Sequence, residues 1–169
     1  MIYMVLADGF EETEALVTLD LMRRAGTDAV SVGVNSKSVR GAHGITVEAD
    51  IDITEINLDG CDGVVLPGGM PGTKNLYACE RVRAAVNYCF ENGKMTAAIC
   101  AAPLILGRLG ILNGKRAVCF PGKHLVRKRA VLQQGNYCMR ELKNGSRTFC
   151  GDDRAVALRM GFAKNSTGA

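Results

Sequence analysis

A cysteine at the boundary between a strand pattern and a helix pattern is the residue of this sequence best suited to chemistry. Cys100 stands where the short apolar run at 95–99 gives way to a helical pattern that begins at Pro103. Ala98 and Ala102 supply the small neighbours that a strained strand-to-helix turn, a nucleophile elbow, requires. Unpaired N–H groups and the dipole at a helix start favour a thiolate. Cys100 is therefore the candidate nucleophile, with a buried structural cysteine as the alternative.

A glutamate is the candidate partner of this thiol. Glu11, Glu12 and Glu14 begin a helical pattern, where carboxylates offset the helix dipole, and that structural role suffices for all three. Glu14 lies one turn into the helix, from which an inward side chain reaches the thiol. An ionised carboxylate would raise the pKa of the cysteine, so we expect Glu14 to be protonated and to donate a hydrogen bond to the sulfur. The two groups then titrate as a pair.

A glycine-rich turn, Leu-Pro-Gly-Gly-Met-Pro-Gly at 66–72, supplies backbone donors. Glycines are needed where a chain passes close to another group or takes a positive φ angle. The N–H groups of Gly69 and of Ala101, the residue after the cysteine, would form an oxyanion hole for a developing alkoxide. An ordinary tight turn needs the same residue types, so this loop alone does not identify a site.

The elements that must position these residues alternate between strand and helix patterns, as in a mostly parallel sheet with helices on both faces. The predicted strands are 2–6, 29–34, 63–66, 96–99 and 116–120, the predicted helices are 12–25, 82–90 and 103–109, and residues 39–47 are predicted to form an antiparallel excursion. Ligands bind at the carboxyl ends of the strands in open sheets of this kind, and the loops carrying the candidate residues meet there. We therefore predict a doubly wound α/β/α sandwich.

Composition and charge limit the function classes. The chain has 169 residues, 47% hydrophobic, which is enough for one domain with a sizeable core. Its seven cysteines include no C-x-x-C pair and no histidine stands at ligand spacing, so we expect reduced thiols and no metal. No apolar run approaches the roughly 20 residues of a membrane span and no secretory signal is visible, so we expect a cytoplasmic protein with no membrane partner.

Charge is distributed unevenly along the chain. Residues 1–120 carry 11 Lys and Arg against 14 Asp and Glu, whereas residues 121–169 carry 10 against 3. The basic residues of the second stretch are scattered and lack interleaved aromatic residues. We therefore expect no specific nucleic acid partner.

Together these motifs resemble the ThiJ/PfpI superfamily, which includes the Parkinson's-disease-associated deglycase, glyoxalases and intracellular peptidases. The matching segments, in family order, are Ala-Asp-Gly-Phe-Glu-Glu-Thr-Glu at 7–14, Arg-Arg-Ala-Gly at 23–26, Gly-Ala-His-Gly-Ile-Thr-Val at 41–47, Leu-Pro-Gly-Gly at 66–69, Ala-Ile-Cys-Ala-Ala-Pro at 98–103 and Cys-Phe-Pro-Gly at 119–122. The resemblance covers residues 1–122. It implies a flavodoxin-like fold related to class I glutamine amidotransferases and a homodimer. It also implies Cys100 with Glu14 as nucleophile and carboxyl partner, and Gly69 and Ala101 at the oxyanion site.

Histidines separate the branches of this superfamily. Peptidase-like members place a histidine base directly after the cysteine, whereas this chain has Ala101, so a protease is disfavoured. His124 could approach the site from the loop after Phe120, as a histidine does in some deglycase-like members. His43 lies in a predicted hairpin turn, and we expect it to be a surface residue near a dimer contact.

The resemblance leaves two kinds of function open. In the first, Cys100 adds to a small reactive carbonyl, such as a 2-oxoaldehyde or its adduct on a glycated protein, with Glu14 as proton shuttle and no cofactor. In the second, the protein is a non-catalytic redox sensor or stress chaperone, in which Cys100 oxidises to a sulfinic acid that Glu14 stabilises. Both need the same accessible thiol.

The sequence pattern changes after Gly122. Family members continue with a strand ending in Ser-Arg-Gly-Pro-Gly-Thr and a long apolar helix, whereas here only 154–162 has a weak helical pattern before a polar ending. We therefore treat 1–169 as a single domain in which 123–169 is either divergent or the product of a shifted reading frame. A frameshifted tail would leave one face of the sheet bare and the protein inert.

Overall fold

The structure, a computed structural model, describes residues 1–113, 115–120, 131–132, 138–141 and 147–151. The strands are β1 (Ile2–Leu6), β2 (Ala29–Gly33), β3 (Ser38–Arg40), β4 (Thr46–Glu48), β5 (Ile51–Asp52), β6 (Gly63–Leu66), β7 (Met95–Ile99), β8 (Arg116–Ala117), β9 (Val131–Leu132), β10 (Cys138–Glu141) and β11 (Arg147–Gly151). The helices are α1 (Glu12–Arg24), α2 (Gly72–Ala78), α3 (Glu80–Glu91) and α4 (Pro103–Arg108), with a 3-10 helix at Ile53–Glu55. Among these described helices, none is long and apolar enough to cross a membrane.

Seven strands form one sheet in the order β10-β11-β7-β6-β1-β2-β5. Its neighbouring strands are parallel except β10, which runs antiparallel to β11. β3 and β4 form the predicted antiparallel hairpin beside this sheet. Because β1 lies between β2 and β6, the chain leaves β1 toward one side and returns on the other. Such a reversal is the switch point at which open α/β sheets bind ligands.

Alternate residues of β1 enter two different hydrophobic cores. Tyr3 and Val5 belong to the core shared with α2, α3 and α4, whereas Ile2, Met4 and Leu6 belong to the core shared with α1. Successive side chains of a strand point to opposite faces, so a sheet covered on both faces needs a continuous apolar strand. The helices therefore lie on both faces, which confirms the predicted flavodoxin-like α/β class.

Most predicted elements are present with small shifts at their ends. The predicted helix at 12–25 ends at Arg24, and the predicted strand at 116–120 is confined to Arg116–Ala117. α2 and β5 were not predicted. α2 has seven residues and only one fully buried apolar side chain, Leu76, so it is too short to show helical periodicity.

The described part of the chain after Gly122 adds strands that the sequence pattern does not predict. β11 pairs parallel with β7, with Thr148 opposite Thr96 and Gly151 opposite Ile99. β11 reads Arg-Thr-Phe-Cys-Gly, which is neither a continuous apolar run nor a clean alternation. The sheet is thus extended beside the strand that leads to Cys100. The helix predicted at 154–162 lies outside the described residues.

Ile105 of α4 is fully buried in the core shared with α2 and α3. We expect Ile105→Ala to lower the free energy of unfolding by about 2–5 kcal/mol, because truncation removes apolar contacts and leaves a cavity. The control is Lys74→Ala, a change at an exposed residue of α2, which should cost less than about 0.5 kcal/mol. Urea unfolding followed by circular dichroism compares them, and equal losses would contradict this assignment of the core.

Candidate active site

Cys100 occupies a sharp turn between β7 and α4. Its φ angle is 58°, in the left-handed region that residues with side chains rarely adopt. The turn is held by Ala102 N–H, which donates to Ile99 O at 2.9 Å, and by Phe120 N–H, which donates to Cys100 O at 2.7 Å. Strain of this kind persists where surrounding contacts fix it, and it is typical of nucleophile elbows. The predicted strand, turn and helix around Cys100 are confirmed.

Glu14 points from α1 into the same edge of the sheet. The residue is only 6% exposed, and its Oε2 accepts a hydrogen bond from Gly68 N–H at 2.7 Å. Its carboxyl group also shares a hydrogen bond with the Cys100 side chain. The carboxyl group and the thiol singled out in the sequence therefore meet, although 14 and 100 are 86 positions apart in the sequence.

Gly68 lies between the carboxyl group and the thiol. A Cβ atom on Gly68 would lie 2.6 Å from Cys100 Cβ, 2.7 Å from Glu14 Oε2 and 3.1 Å from Cys100 Sγ. No side chain fits in that space, so glycine is required by close approach rather than by its φ angle. Sequence reasoning named Gly69 but missed Gly68. The sequence does show two adjacent glycines, Gly68 and Gly69. A positive φ angle accounts for Gly69 only, so the glycine at 68 indicates a second constraint.

Gly69 has a φ angle of 89° and packs against the loop that follows β1. A Cβ atom there would lie 2.5 Å from both Gly9 O and Glu11 N, so this turn is also fixed by contact. The N–H groups of Gly69 and Ala101 both donate hydrogen bonds to the sulfur of Cys100. The two donors named from the sequence thus converge on one atom.

With Glu14 ionised, burial and then the charge of Glu14 raise the pKa of Cys100 to about 12, and the N–H groups of Gly69 and Ala101 oppose that rise. The position at a helix start alone predicts a lowered pKa for Cys100, and that prediction is wrong while Glu14 is ionised. α4 has only six residues, and half-burial of a thiol beside a carboxylate outweighs its dipole. A thiolate at neutral pH therefore requires the shared proton to reside on Glu14.

Of the two histidines, His124 lies outside the described residues, and His43 is exposed, as expected from the sequence. His43 Nδ1 lies 2.9 Å from Oε2 of the buried Glu12, whose Oε1 accepts from His43 N–H at 2.7 Å. Although burial raises the pKa of Glu12, these hydrogen bonds outweigh it and the net shift is downward, while Glu12 raises the pKa of His43. With Glu11 they place three metal-ligating groups within 4.8 Å of one another. This grouping joins distant segments, so sequence spacing does not reveal it.

Four of the cysteines whose side chains the structure describes carry free thiols: Cys61, Cys79, Cys89 and Cys100. Cys119 lies beside the elbow, with its Sγ 4.0 Å from Ala101 O. The thiol of Cys100 is therefore distinguished by its surroundings rather than by its oxidation state.

A thiol on a left-handed strand-to-helix turn, paired with a buried carboxyl group at the edge of a parallel sheet, defines a flavodoxin-like protein with a nucleophile elbow. A model of the DJ-1/PfpI family matches residues 1–143, past the last motif read from the sequence. The chain belongs to the DJ-1/PfpI family.

Curated relatives are similar to about two thirds of the chain. Protein DJ-1 homolog B of Arabidopsis thaliana is 39% identical over 69% of this chain and 27% of its own length. Protein dj-1beta of Drosophila melanogaster is 32% identical over 69% of this chain and 63% of its own length. A deglycase of Pyrococcus abyssi is 32% identical over 69% of both. The chain thus spans less than two thirds of the first two of these relatives.

Solved structures agree with the fold. A DJ-1 superfamily protein from Salmonella typhimurium has a TM-score of 0.77 and 33% identity, covering 89% of this chain and 80% of its own. Drosophila melanogaster DJ-1beta has a TM-score of 0.78 and 27% identity, covering 89% and 81%. An oxidised DJ-1 from Toxoplasma gondii has a TM-score of 0.73 and 29% identity, covering 89% and 81%.

Gly68→Ala tests the close approach at the centre of the site. The added methyl group would push Glu14 and Cys100 apart, so we expect a loss of about 1–3 kcal/mol in unfolding free energy. The pH midpoint of Cys100 alkylation should also move toward the ordinary thiol value of about 8.5. Gly60→Ala is the control, since its nearest neighbour would be Asn57 Nδ2 at 3.8 Å. Unchanged stability and an unchanged midpoint in Gly68→Ala would contradict the geometry.

Proposed function

We propose that this chain uses Cys100 to act on small reactive carbonyls, either a 2-oxoaldehyde or its adduct on a glycated protein. The carrying observation is the buried carboxyl group of Glu14, hydrogen-bonded to a thiol that also receives two backbone N–H groups. The name of the Pyrococcus abyssi relative, a deglycase, favours this substrate class over peptides. Ala101 stands where a peptidase-like base would be, which also argues against proteolysis.

In the first step, the thiolate of Cys100 attacks the carbonyl carbon. A C–S bond forms, the C=O π bond breaks, and its electron pair moves to oxygen. The N–H groups of Gly69 and Ala101, which donate to sulfur in the free protein, stabilise the developing negative charge on that oxygen. Glu14 then gives its proton to the oxygen and becomes a carboxylate. The product is a neutral hemithioacetal.

In the second step, Glu14 acts as a proton shuttle. Its carboxylate moves the proton from the carbon bonded to sulfur to the neighbouring carbonyl oxygen, which gives an enediol. It then moves the hydroxyl proton of the first carbon to the neighbouring carbon, which gives a thioester. Water then cleaves the thioester, releases a 2-hydroxy acid and restores the thiol. The net reaction is the addition of one water to a 2-oxoaldehyde, so no external oxidant or reductant is consumed. Starting from an adduct, the sulfur of Cys100 replaces the protein amine on the former aldehyde carbon: the C–S bond forms, the C–N bond breaks, and the amine leaves with the proton of Glu14, after which the same isomerisation and hydrolysis follow.

A second candidate function, oxidation sensing coupled to holdase activity, draws on the same contacts. Two N–H groups and a protonated Glu14 around Sγ would also hold the oxygens of a sulfinic acid on Cys100. The Toxoplasma gondii structure similar to this chain is of an oxidised DJ-1. Turnover of a 2-oxoaldehyde by the wild-type chain, expected only for the first candidate, separates the two.

We also propose that the chain forms a homodimer through α1 and the β3–β4 hairpin. Val17 and Leu21 stand one helical turn apart on α1 and are 45% and 42% exposed. Ile45 of the hairpin is 54% exposed, and its N–H donates to Glu12 at the start of α1. These three apolar side chains belong to neighbouring elements, and a second copy of the chain would bury them.

Methylglyoxal turnover tests the catalytic proposal. We expect Cys100→Ser to reduce turnover to the uncatalysed rate and Glu14→Gln to lower kcat by about 10²–10⁴-fold, because Gln cannot shuttle a proton. Cys79→Ser, which changes a half-buried thiol elsewhere, should retain wild-type turnover. Full turnover by Cys100→Ser would contradict the proposal, and holdase activity without any wild-type turnover would favour the second candidate.

Light scattering coupled to size-exclusion chromatography tests the dimer. The wild-type chain should elute at twice the mass of one chain, and Leu21→Glu should elute as a monomer because a carboxylate cannot be buried unpaired in an apolar contact. Lys74→Glu, a charge change at an exposed residue of α2 on the other side of the sheet, is the control and should remain dimeric. A monomeric wild-type chain would contradict the proposed contact.

A further inference from the structure

Two cysteines outside the candidate active site touch each other in the core. Cys61 lies in the loop before β6 and Cys89 lies near the end of α3. Their Sγ atoms are 3.3 Å apart, although 28 positions separate them in the sequence, and both residues are fully buried. The chemistry proposed for Cys100 uses neither. We propose that Cys61 and Cys89 form an intramolecular disulfide when the protein meets a hydroperoxide, as an oxidation site separate from Cys100.

The two sulfurs are placed for bond formation. A disulfide has an S–S distance of about 2.05 Å, so closure requires the sulfurs to approach by about 1.3 Å. Cys61 belongs to a loop rather than to a strand, and Cys89 stands in the last turn of its helix. Small movements of the loop and of one side chain therefore suffice, and the sheet need not shift.

An oxidant can reach the pair through the surface loop. Gly60 and Asp62, the residues on either side of Cys61, are both exposed. Cys61 thus lies directly beneath the surface, at the end of a loop without regular structure. Such loops open locally far more often than the whole domain unfolds, so a small peroxide gains access without global unfolding.

The contact between Cys61 and Cys89 also shifts the pKa values of the two thiols in opposite directions. The hydrogen bond from the Cys89 thiol lowers the pKa of Cys61 to about 7 against the effect of burial, and the charge of Lys94 lowers it further. That same hydrogen bond, together with burial, raises the pKa of Cys89. Because Cys61 lies between two exposed residues, we assign it as the sulfur that ionises and attacks, and Cys89 as the thiol that resolves the product; either sulfur can be the donor in the contact between them.

The proposed reaction has two steps. The Cys61 thiolate attacks one oxygen of the hydroperoxide; the O–O bond breaks, an alcohol or water leaves, and Cys61 becomes a sulfenic acid. The sulfur of Cys89 then attacks the sulfur of Cys61; the S–S bond forms, the S–O bond breaks, and the hydroxyl group leaves with the Cys89 proton as water. Two thiols are oxidised, and one peroxide supplies the oxidising equivalents.

Peptide mapping of the full chain tests this proposal. The reduced protein is treated with hydrogen peroxide, its remaining thiols are blocked with N-ethylmaleimide, and it is digested without reduction. We expect a linked peptide pair containing Cys61 and Cys89 that disappears after dithiothreitol. We also expect the oxidised protein to unfold at a temperature roughly 5–10 °C higher than the reduced protein, because the link restricts the unfolded chain.

Matched variants identify the pair. Cys89→Ala should abolish both the linked peptide and the rise in unfolding temperature, whereas Cys79→Ala, at the neighbouring junction of α2 and α3, should retain both. The linked peptide should also form in Cys100→Ser, since the two sites are separate. The proposal would be overturned if N-ethylmaleimide still labelled Cys61 and Cys89 at peroxide doses that oxidise Cys100. It would also be overturned if the linked peptide did not form in Cys100→Ser. The wild-type map decides the question even if a variant fails to fold.

Discussion

The contact between Glu14 and Cys100 across Gly68 is the constraint on which the rest of the site depends. It brings together the segments that follow β1, β6 and β7, three adjacent strands of one parallel sheet. The elbow fixes the thiol, α1 carries the carboxyl group, and the absence of a side chain at Gly68 lets them approach. A side chain at Gly68 would separate the two groups, because its Cβ would lie 2.6 Å from Cys100 Cβ and 2.7 Å from Glu14 Oε2.

The reactivity of Cys100 depends on whether Glu14 or Cys100 holds the proton that they share. A buried carboxyl group and a half-buried thiol in hydrogen-bonding distance share a proton, so their titrations belong to the pair and not to either residue. With the charge on Glu14, the thiol is inert, since burial and repulsion raise the pKa of Cys100. With the proton on Glu14, the same geometry gives a thiolate held by three donors. Nucleophilic catalysis and oxidation of Cys100 both follow from the second arrangement, and neither follows from the first.

The sequence predicts the sheet and the elbow well because both are local patterns. β1 reads as an unbroken apolar run since its two faces enter two cores, and small residues around Cys100 mark the strained turn. The sequence does not predict contacts between segments that are far apart along the chain. The choice of Glu14 over Glu11 depends on which residue faces inward from the helix, which the sequence does not show. The space at Gly68 is set by Glu14 and Cys100, which lie in other segments of the chain. The contact between Cys61 and Cys89, and the strands after Gly122, depend on neighbours far along the chain.

The most direct measurement is the pH dependence of Cys100 alkylation by iodoacetamide, followed by intact mass, in the wild-type chain and in Glu14→Gln. If Glu14 holds the shared proton, the wild-type midpoint lies well below the ordinary thiol value of about 8.5, and it rises in Glu14→Gln because an amide is the weaker donor to a thiolate. If Glu14 is instead ionised, the wild-type midpoint lies above about 8.5 and falls in Glu14→Gln, since a repelling charge has been removed. The second result would contradict an activated thiol at Cys100.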